Sequence, residues 1–241
     1  MMAIARREFR SYFDSPLAYV VVCASFCLLG VLFFLMGGFW QAGRASLEKM
    51  FHFAPWGLCV LVVPVITMRL LAEEKRSGTL EMLITLPVKD SDVILGKYLG
   101  ALGLVLTLMA ATSLYPVTMF WWPWNLGPID QKALVAGYVG LVLMSAAAVA
   151  IGLLISALTE SQAVAFFITF IVLVVLWWVL AQAARTLGGW LGQFLNYASF
   201  DARLSGFTKG LVDTRDVVFF LSVTALALMV SFRVLERRRW A

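Results

Sequence analysis

The 241-residue chain is 62% apolar and 14% charged, with a formal net charge of +5. Soluble domains average roughly 45–50% apolar and about 25% charged residues, so an ordinary soluble core is excluded and a single polytopic, all-α membrane domain spanning residues 1–241 is the class that fits. The basic excess does not point to nucleic acid, because Lys and Arg sit at the ends of apolar runs, where they set topology.

In chain order, residues 1–15 read as a basic amphipathic helix. Ile4, Ala5, Phe9, Tyr12 and Phe13 fall on one half of the helical wheel and Arg6, Arg7, Arg10, Ser11 and Asp14 on the other, with Glu8 the exception. Such a helix is expected in the membrane interface, apolar side on the lipid. It is not expected to be a cleaved leader, since the following apolar run is too long and lacks a small-residue cleavage site. Six spans are then expected near Leu17–Phe39, Ala54–Met68, Tyr98–Trp121, Ala133–Leu158, Ala163–Ala181 and Val217–Leu235, each judged against the roughly 20 apolar residues that cross a bilayer. Pro64 should kink the second. The small residues Gly96, Gly100 and Gly103, and Gly137 with Gly140, either admit close helix packing or are ordinary membrane-helix glycines. Cys23, Cys27 and Cys59 read as buried apolar thiols.

Between the second and third spans, Arg69–Gly100 holds ten of the chain's 33 Asp, Glu, Lys and Arg residues. Ser77, Gly78 and Thr79 offer a helix start, with Glu81 favourably placed against the positive helix N-terminus. Leu80, Leu83 and Ile84 follow at helical spacing and Pro87 stops the run before Asp90-Ser91-Asp92 launches the next helix. A solvated loop is one reading. The other is a short amphipathic helix whose anchors Leu80, Leu83, Ile84 and Leu86, with Thr79 at its start, dock a cytosolic partner, while Glu73, Glu74, Lys75, Arg76 and Glu81 set orientation around them.

The pattern Arg-x-x-Ala-Glu-Glu-Lys-x-Ser-Gly-Thr-x-Glu-x-Leu-x-Thr-x-Pro at Arg69 to Pro87 resembles the signature of type-2 ABC transporter permeases, closest to the gliding-motility GldF-like and NosY-like group. The resemblance implies that this segment is a coupling helix resting on a separate cytosolic ABC ATPase. It also implies that ATP and Mg belong to that partner and that the six-span chain pairs with a second copy or a related permease. The turn Leu158-Thr159-Glu160-Ser161-Gln162 resembles the same group, with Ser161 or Thr159 as helix cap. Glu160 is either a cap-region acid or a second contact with the cytosolic partner.

Residues 182–216 form the longest opposite segment, whose Leu187, Trp190, Leu191, Phe194 and Leu195 suggest a short interfacial helix. Gly-x-x-Asp-Thr-Arg-Asp at Gly210–Asp216 again resembles that group. Asp213 can cap the last helix, with Arg215 and Asp216 as an ion pair beside it, while Asp201-Ala202-Arg203-Leu204 departs from the group's pattern. An extracytoplasmic auxiliary protein and the lipid membrane complete the expected partners.

The N-terminus, the Arg69–Lys97 loop, the Thr159–Gln162 turn and the C-terminus carry twelve basic residues, against seven on the opposite loops. That asymmetry places both termini and the charged loop in the cytoplasm, across a bacterial inner membrane. The tryptophans, Trp240 excepted, gather toward the other side as an interfacial belt. By these boundaries the spans hold no Asp, Glu, Lys, Arg or His except Arg233 near the cytoplasmic end of the sixth, so the driving energy is expected from outside the membrane domain. Gly96-Lys97 is followed by Tyr98 rather than a hydroxyl residue, so there is no phosphate loop and the chain is not expected to be an enzyme. Two function classes follow: the permease subunit of an ATP-driven transporter, exporting or transmitting force, or a non-transporting anchor for a cytosolic ATPase in a gliding-motility or secretion machine.

Overall fold

A computed structural model describes residues 1–14, 16–36, 48–78, 90–120 and 130–239, and every regular element among these is a helix. The helices are α1 (Met2–Phe13), α2 (Pro16–Gly30), α3 (Glu48–Ala54), α4 (Val63–Thr67), α5 (Ala72–Arg76), α6 (Asp90–Thr112) and α7 (Leu114–Phe120). They continue with α8 (Gln131–Leu158), α9 (Gln162–Val174), α10 (Leu180–Leu187), α11 (Gly189–Ala198), α12 (Phe200–Thr208) and α13 (Thr214–Arg239). Wider π-helical stretches extend α2 over Val31–Met36, join α3 to α4 over Pro55–Val62 and join α9 to α10 over Val175–Val179.

Five continuous helices are long and apolar enough to cross a membrane: Met50–Arg76, Ser91–Val117, Gln131–Leu158, Gln162–Leu187 and Thr214–Glu236. A further apolar helix, Tyr19–Phe34, is shorter. The second span therefore runs well past the expected Ala54–Met68, and the third begins at its Asp90 start rather than at Tyr98. That shift takes Lys97 inside the helix, against the expectation that it lies outside the spans. The π-helical stretch ends at Val62, one residue short of Pro64, whose missing N–H falls in the first turn of α4.

The core is built around α8. Its glycines are approached so closely that a Cβ would overlap the neighbour: Phe51 fills the place at Gly137, Leu204 and Phe207 at Gly140, and Thr67 at Gly152. Absence of a side chain is what lets these helices approach α8. Asp130 opens α8 by accepting the backbone N–H groups of Lys132 and Ala133. Cys59 is buried with its Sγ 3.3 Å from Ser145 Oγ, whereas Cys23 and Cys27 are exposed on α2. Gln162–Leu187 and Thr214–Glu236 stay mostly exposed along apolar faces, as lipid-facing helices do. Trp56, Trp178 and Trp190 keep partly or largely exposed rings, but Trp177 is buried in the bundle, a departure from the expected single belt.

The stretch after the fifth span is more helical than expected. Gly188, at φ +53°, ends α10 and turns the chain into α11, and Gly192 then packs against the Ala184 carbonyl. Left-handed backbone of that kind is open to glycine at little cost. The result is a helical hairpin, and α12 follows it. The end of the bundle that carries this hairpin is opposite the end that carries α1, and the two are called the hairpin end and the N-terminal end below.

Candidate functional site

At the N-terminal end the second span does not stop at the membrane-spanning run. A turn at Met68–Leu71 leads into α5, and the backbone N–H groups of Leu71 and Ala72 need acceptors there. Ser156, fully buried on α8, supplies one oxygen to both at 3.1 Å. Lys75 reaches across to donate to the Ala157 carbonyl, a group left over at the last turn of α8. Ser77 closes α5 by donating to the Glu73 and Glu74 carbonyls, and Gly78 follows at φ +71°. Ser77 and Gly78, expected to start a helix, thus serve as the stop of the preceding one.

Lys97 lies about two turns into the third span with its side chain 3% exposed. A buried ammonium is costly unless paired and hydrogen-bonded. Its Nζ donates to Glu8 Oε1 and to Glu74 Oε1, both at 2.7 Å, so a single point charge links α1, α5 and α6. Glu8 is the acid on the apolar half of the α1 wheel, and the pairing is its physical reason. Arg7 Nη2 stands 4.0 Å from the same Glu8 oxygen, and Arg69 Nε is 3.7 Å from Glu73.

The seat for α1 is the glycine stripe of α6. A Cβ on Gly96 would stand 2.8 Å from Ile4, one on Gly100 2.7 Å from Glu8 Cβ and one on Gly103 3.3 Å from the Phe9 ring. With the Met1 amine 4.0 Å from Asp92, these contacts advance together along both chains. So α1 runs beside the first turns of α6 in the same direction, its apolar side on protein rather than lipid. Tyr12 completes the seat by donating to the Ile66 carbonyl at 3.3 Å. Burial, and then the nearby Glu8 carboxylate, push the Tyr12 phenol well above its usual range, so it stays a neutral donor.

Of the charged residues expected to orient a partner, Glu73 and Arg76 are exposed, while Glu74 and Lys75 turn inward to Lys97 and Ala157. Thr79, Leu80, Glu81, Leu83, Ile84 and Leu86 lie outside the described residues. Glu160 is exposed on the turn after Ala157, and the Lys75 bond brings that turn beside α5. Ser161 begins α9 through its extended backbone without a side-chain cap, and Thr159 Oγ1 bonds back to Ile155.

At the hairpin end Asp213 caps α13, accepting the Arg215 N–H at 2.9 Å as expected. The ion pair is different. Asp216 pairs not with Arg215 but with Arg203 of α12, 2.7 Å from Nη1, because consecutive residues of a helix point apart whereas α12 presents its arginine directly. The Arg203 guanidinium also lies 3.7 Å from the Tyr197 ring centroid and donates to the Tyr197 carbonyl. Close by, Asp201 faces Arg185 at 3.4 Å and His52 at 4.0 Å. Sequence reasoning missed Lys97, Ser156 and Arg203. Glu8, an acid on an apolar face, was the one signal that a buried cation was waiting for it.

Residues 50–182, more than half of the chain, match the family model of the ABC-2 family transporter proteins. The chain belongs to the ABC-2 transporter family. No curated protein matches it. As an ABC-2 transporter chain it is a multi-pass membrane permease subunit of an ABC transporter, and the family implies association with an ABC ATPase. The matched range takes in Glu74, Lys97, Ser156 and Glu160, while Glu8, Arg203 and Asp216 lie beyond it.

Proposed function

We propose that this permease couples ATP hydrolysis by a separate cytosolic ATPase to export or force transmission, and that the ATPase docks at the N-terminal end of the bundle. The observation that carries the reading is the double tether of α5: Ser156 and the Ala157 carbonyl fix it to α8, and Lys97 fixes it to α6 and α1. A push received on the segment after Gly78 therefore reaches the bundle through a braced element. Glu73, Arg76 and Glu160 are exposed on the same end, where they can set the partner's orientation. Leu80, Leu83, Ile84 and Leu86 are its apolar anchors, with Thr79 and Glu81 beside them.

In this reading the N-terminal end is cytoplasmic, the membrane is the bacterial inner membrane, and six spans form half of a dimer with an identical or related chain. ATP and Mg reside on the partner. The signature at Arg69–Pro87 favours the GldF-like and NosY-like group. The test is copurification with its ABC ATPase partner. Leu83→Asp is expected to release it, since a buried interface anchor is worth about 2 kcal/mol or more. Glu73→Ala is expected to be mild, at under about 1 kcal/mol for an exposed charge. An ATPase that stays bound to Leu83→Asp with normal stimulation sinks the docking role of this segment.

A further inference from the structure

The second span and α8 run side by side from the hairpin end to the N-terminal end, and three contacts fix their register. The Phe51 ring fills the place of a Cβ at Gly137, Cys59 Sγ stands 3.3 Å from Ser145 Oγ, and Thr67 fills the place at Gly152. Between the first two contacts both helices advance by eight positions. Between the second and the third, the second span again advances by eight, whereas α8 advances by seven. The second span thus packs one residue more between Cys59 and Thr67 than the straight helix beside it. The π-helical turns that run to Val62 are the physical form of that surplus, since a wider turn holds an extra residue in the same length.

Little in the local ladder holds the surplus in place. Pro64 has no N–H, so one of the backbone bonds that a change of register would break is already missing. Beyond it α4 and α5 are five residues each, separated by the turn at Met68–Leu71, while α8 is unbroken over 28. At the N-terminal end Ser156 Oγ accepts from the N–H groups of both Leu71 and Ala72, each at 3.1 Å. An oxygen that faces two consecutive amides keeps one of them when the chain slips by a residue.

We propose that the second span is a two-register element. In the observed register the surplus is coiled in π turns and Thr67 sits at Gly152. When those turns tighten to α geometry, the same residues extend by one helical rise, about 1.5 Å, and each residue beyond the surplus takes the place of the one after it. Ile66 then occupies the Gly152 seat, one β-branched side chain for another, and Leu71 stays on Ser156. The place of Glu74 beside Lys97 passes to Glu73, so the buried ammonium keeps a carboxylate from α5. The contact given up is the Lys75 bond to the Ala157 carbonyl. Phe51 and Cys59 do not move, which confines the slip to the half of the span that carries α5. What drives the slip rests on the reading of α5 as the element an ATPase pushes, but the two registers belong to the isolated chain.

The test is made on the full chain in detergent without an ATPase, so its failure is distinct from failure of the docking reading. Deletion of Leu61, the one exposed side chain between Val60 and Pro64, removes the surplus and leaves both glycine seats in register. The thermal unfolding midpoint of this variant is expected within about 3 °C of the wild type, whereas deletion of Leu143 from α8, which holds no surplus, should lower it by about 10 °C or more or leave no folded chain. Amide hydrogen exchange gives the second readout. In the wild type Val60–Thr67 should exchange at least about tenfold faster than Ser145–Gly152 at the same depth, and the Leu61 deletion should abolish that difference. A Leu61 deletion that falls as far as the Leu143 deletion or fails to fold, equal exchange of the two segments in the wild type, or rapid exchange that survives the deletion would each overturn the proposal.

Discussion

Among the described residues two cations are buried, Lys97 and Arg203, and they sit at opposite ends of the bundle. Each has carboxylate partners at 2.7 Å, yet the two sites are built differently. Lys97 is a compact charge with three donors, and it gathers carboxylates from residues 8 and 74, on two other helices. Arg203 is a planar fork that holds one carboxylate, one carbonyl and two aromatic faces, all within residues 197–219. The chemistry of the two side chains accounts for the difference. A lysine can tie distant segments into one body, whereas a stacked arginine pins a local corner.

That contrast sets the scale of the expected losses. Lys97→Met leaves two part-buried carboxylates facing an apolar side chain, and should cost about 3–5 kcal/mol in the unfolding of the purified chain. Lys97→Arg, which keeps the charge but not its compact shape, should fall between Met and wild type. Next comes Arg203→Met, which strands one part-buried carboxylate, Asp216, rather than two. It should cost about 1.5–3 kcal/mol, as the loss of a charge-assisted hydrogen bond does. A loss as large as that of Lys97→Met would erase the contrast.

Gly100→Ala tests the seat of α1 without touching a charge. Its new Cβ would stand 2.7 Å from Glu8 Cβ and 3.1 Å from the Ala5 carbonyl, backbone that cannot yield as a side chain can. About 1–3 kcal/mol of overpacking is expected, with more rapid protease cleavage of α1 as the readout. Tyr12→Phe, the mildest, removes one hydrogen bond to Ile66 and should cost about 0.5–1.5 kcal/mol.

Most of the architecture was legible because apolar length is a direct physical signal: the helical class, the N-terminal helix, the Asp90 start and the Asp213 cap all stand as read. What escaped detection was pairing across the bundle. Lys97, lying at the edge of an apolar run, reads as a boundary marker, and only its two partners from residues 8 and 74 show that it is inside. The Gly96, Gly100 and Gly103 stripe announces a close approach without naming the partner, which proved to be α1. Ser156 carries no signal at all, since a serine in a membrane helix usually bonds its own backbone rather than capping a neighbour. Asp216 was assigned to the nearest arginine in sequence, and the actual partner, thirteen residues back, needed the α12 corner. The docking anchors from Leu80 to Leu86 rest on sequence alone.

The central claim is that the N-terminal end transmits force from an ATPase through the braced α5, and that the hairpin end does not. Retention of the ABC ATPase partner, and stimulation of its hydrolysis, should be compared for Lys97→Met and Arg203→Met at a temperature where both variants are folded. Loss of stimulation in the first with wild-type stimulation in the second is the predicted result. Equal behaviour of the two variants, whether both coupled or both uncoupled, would contradict it.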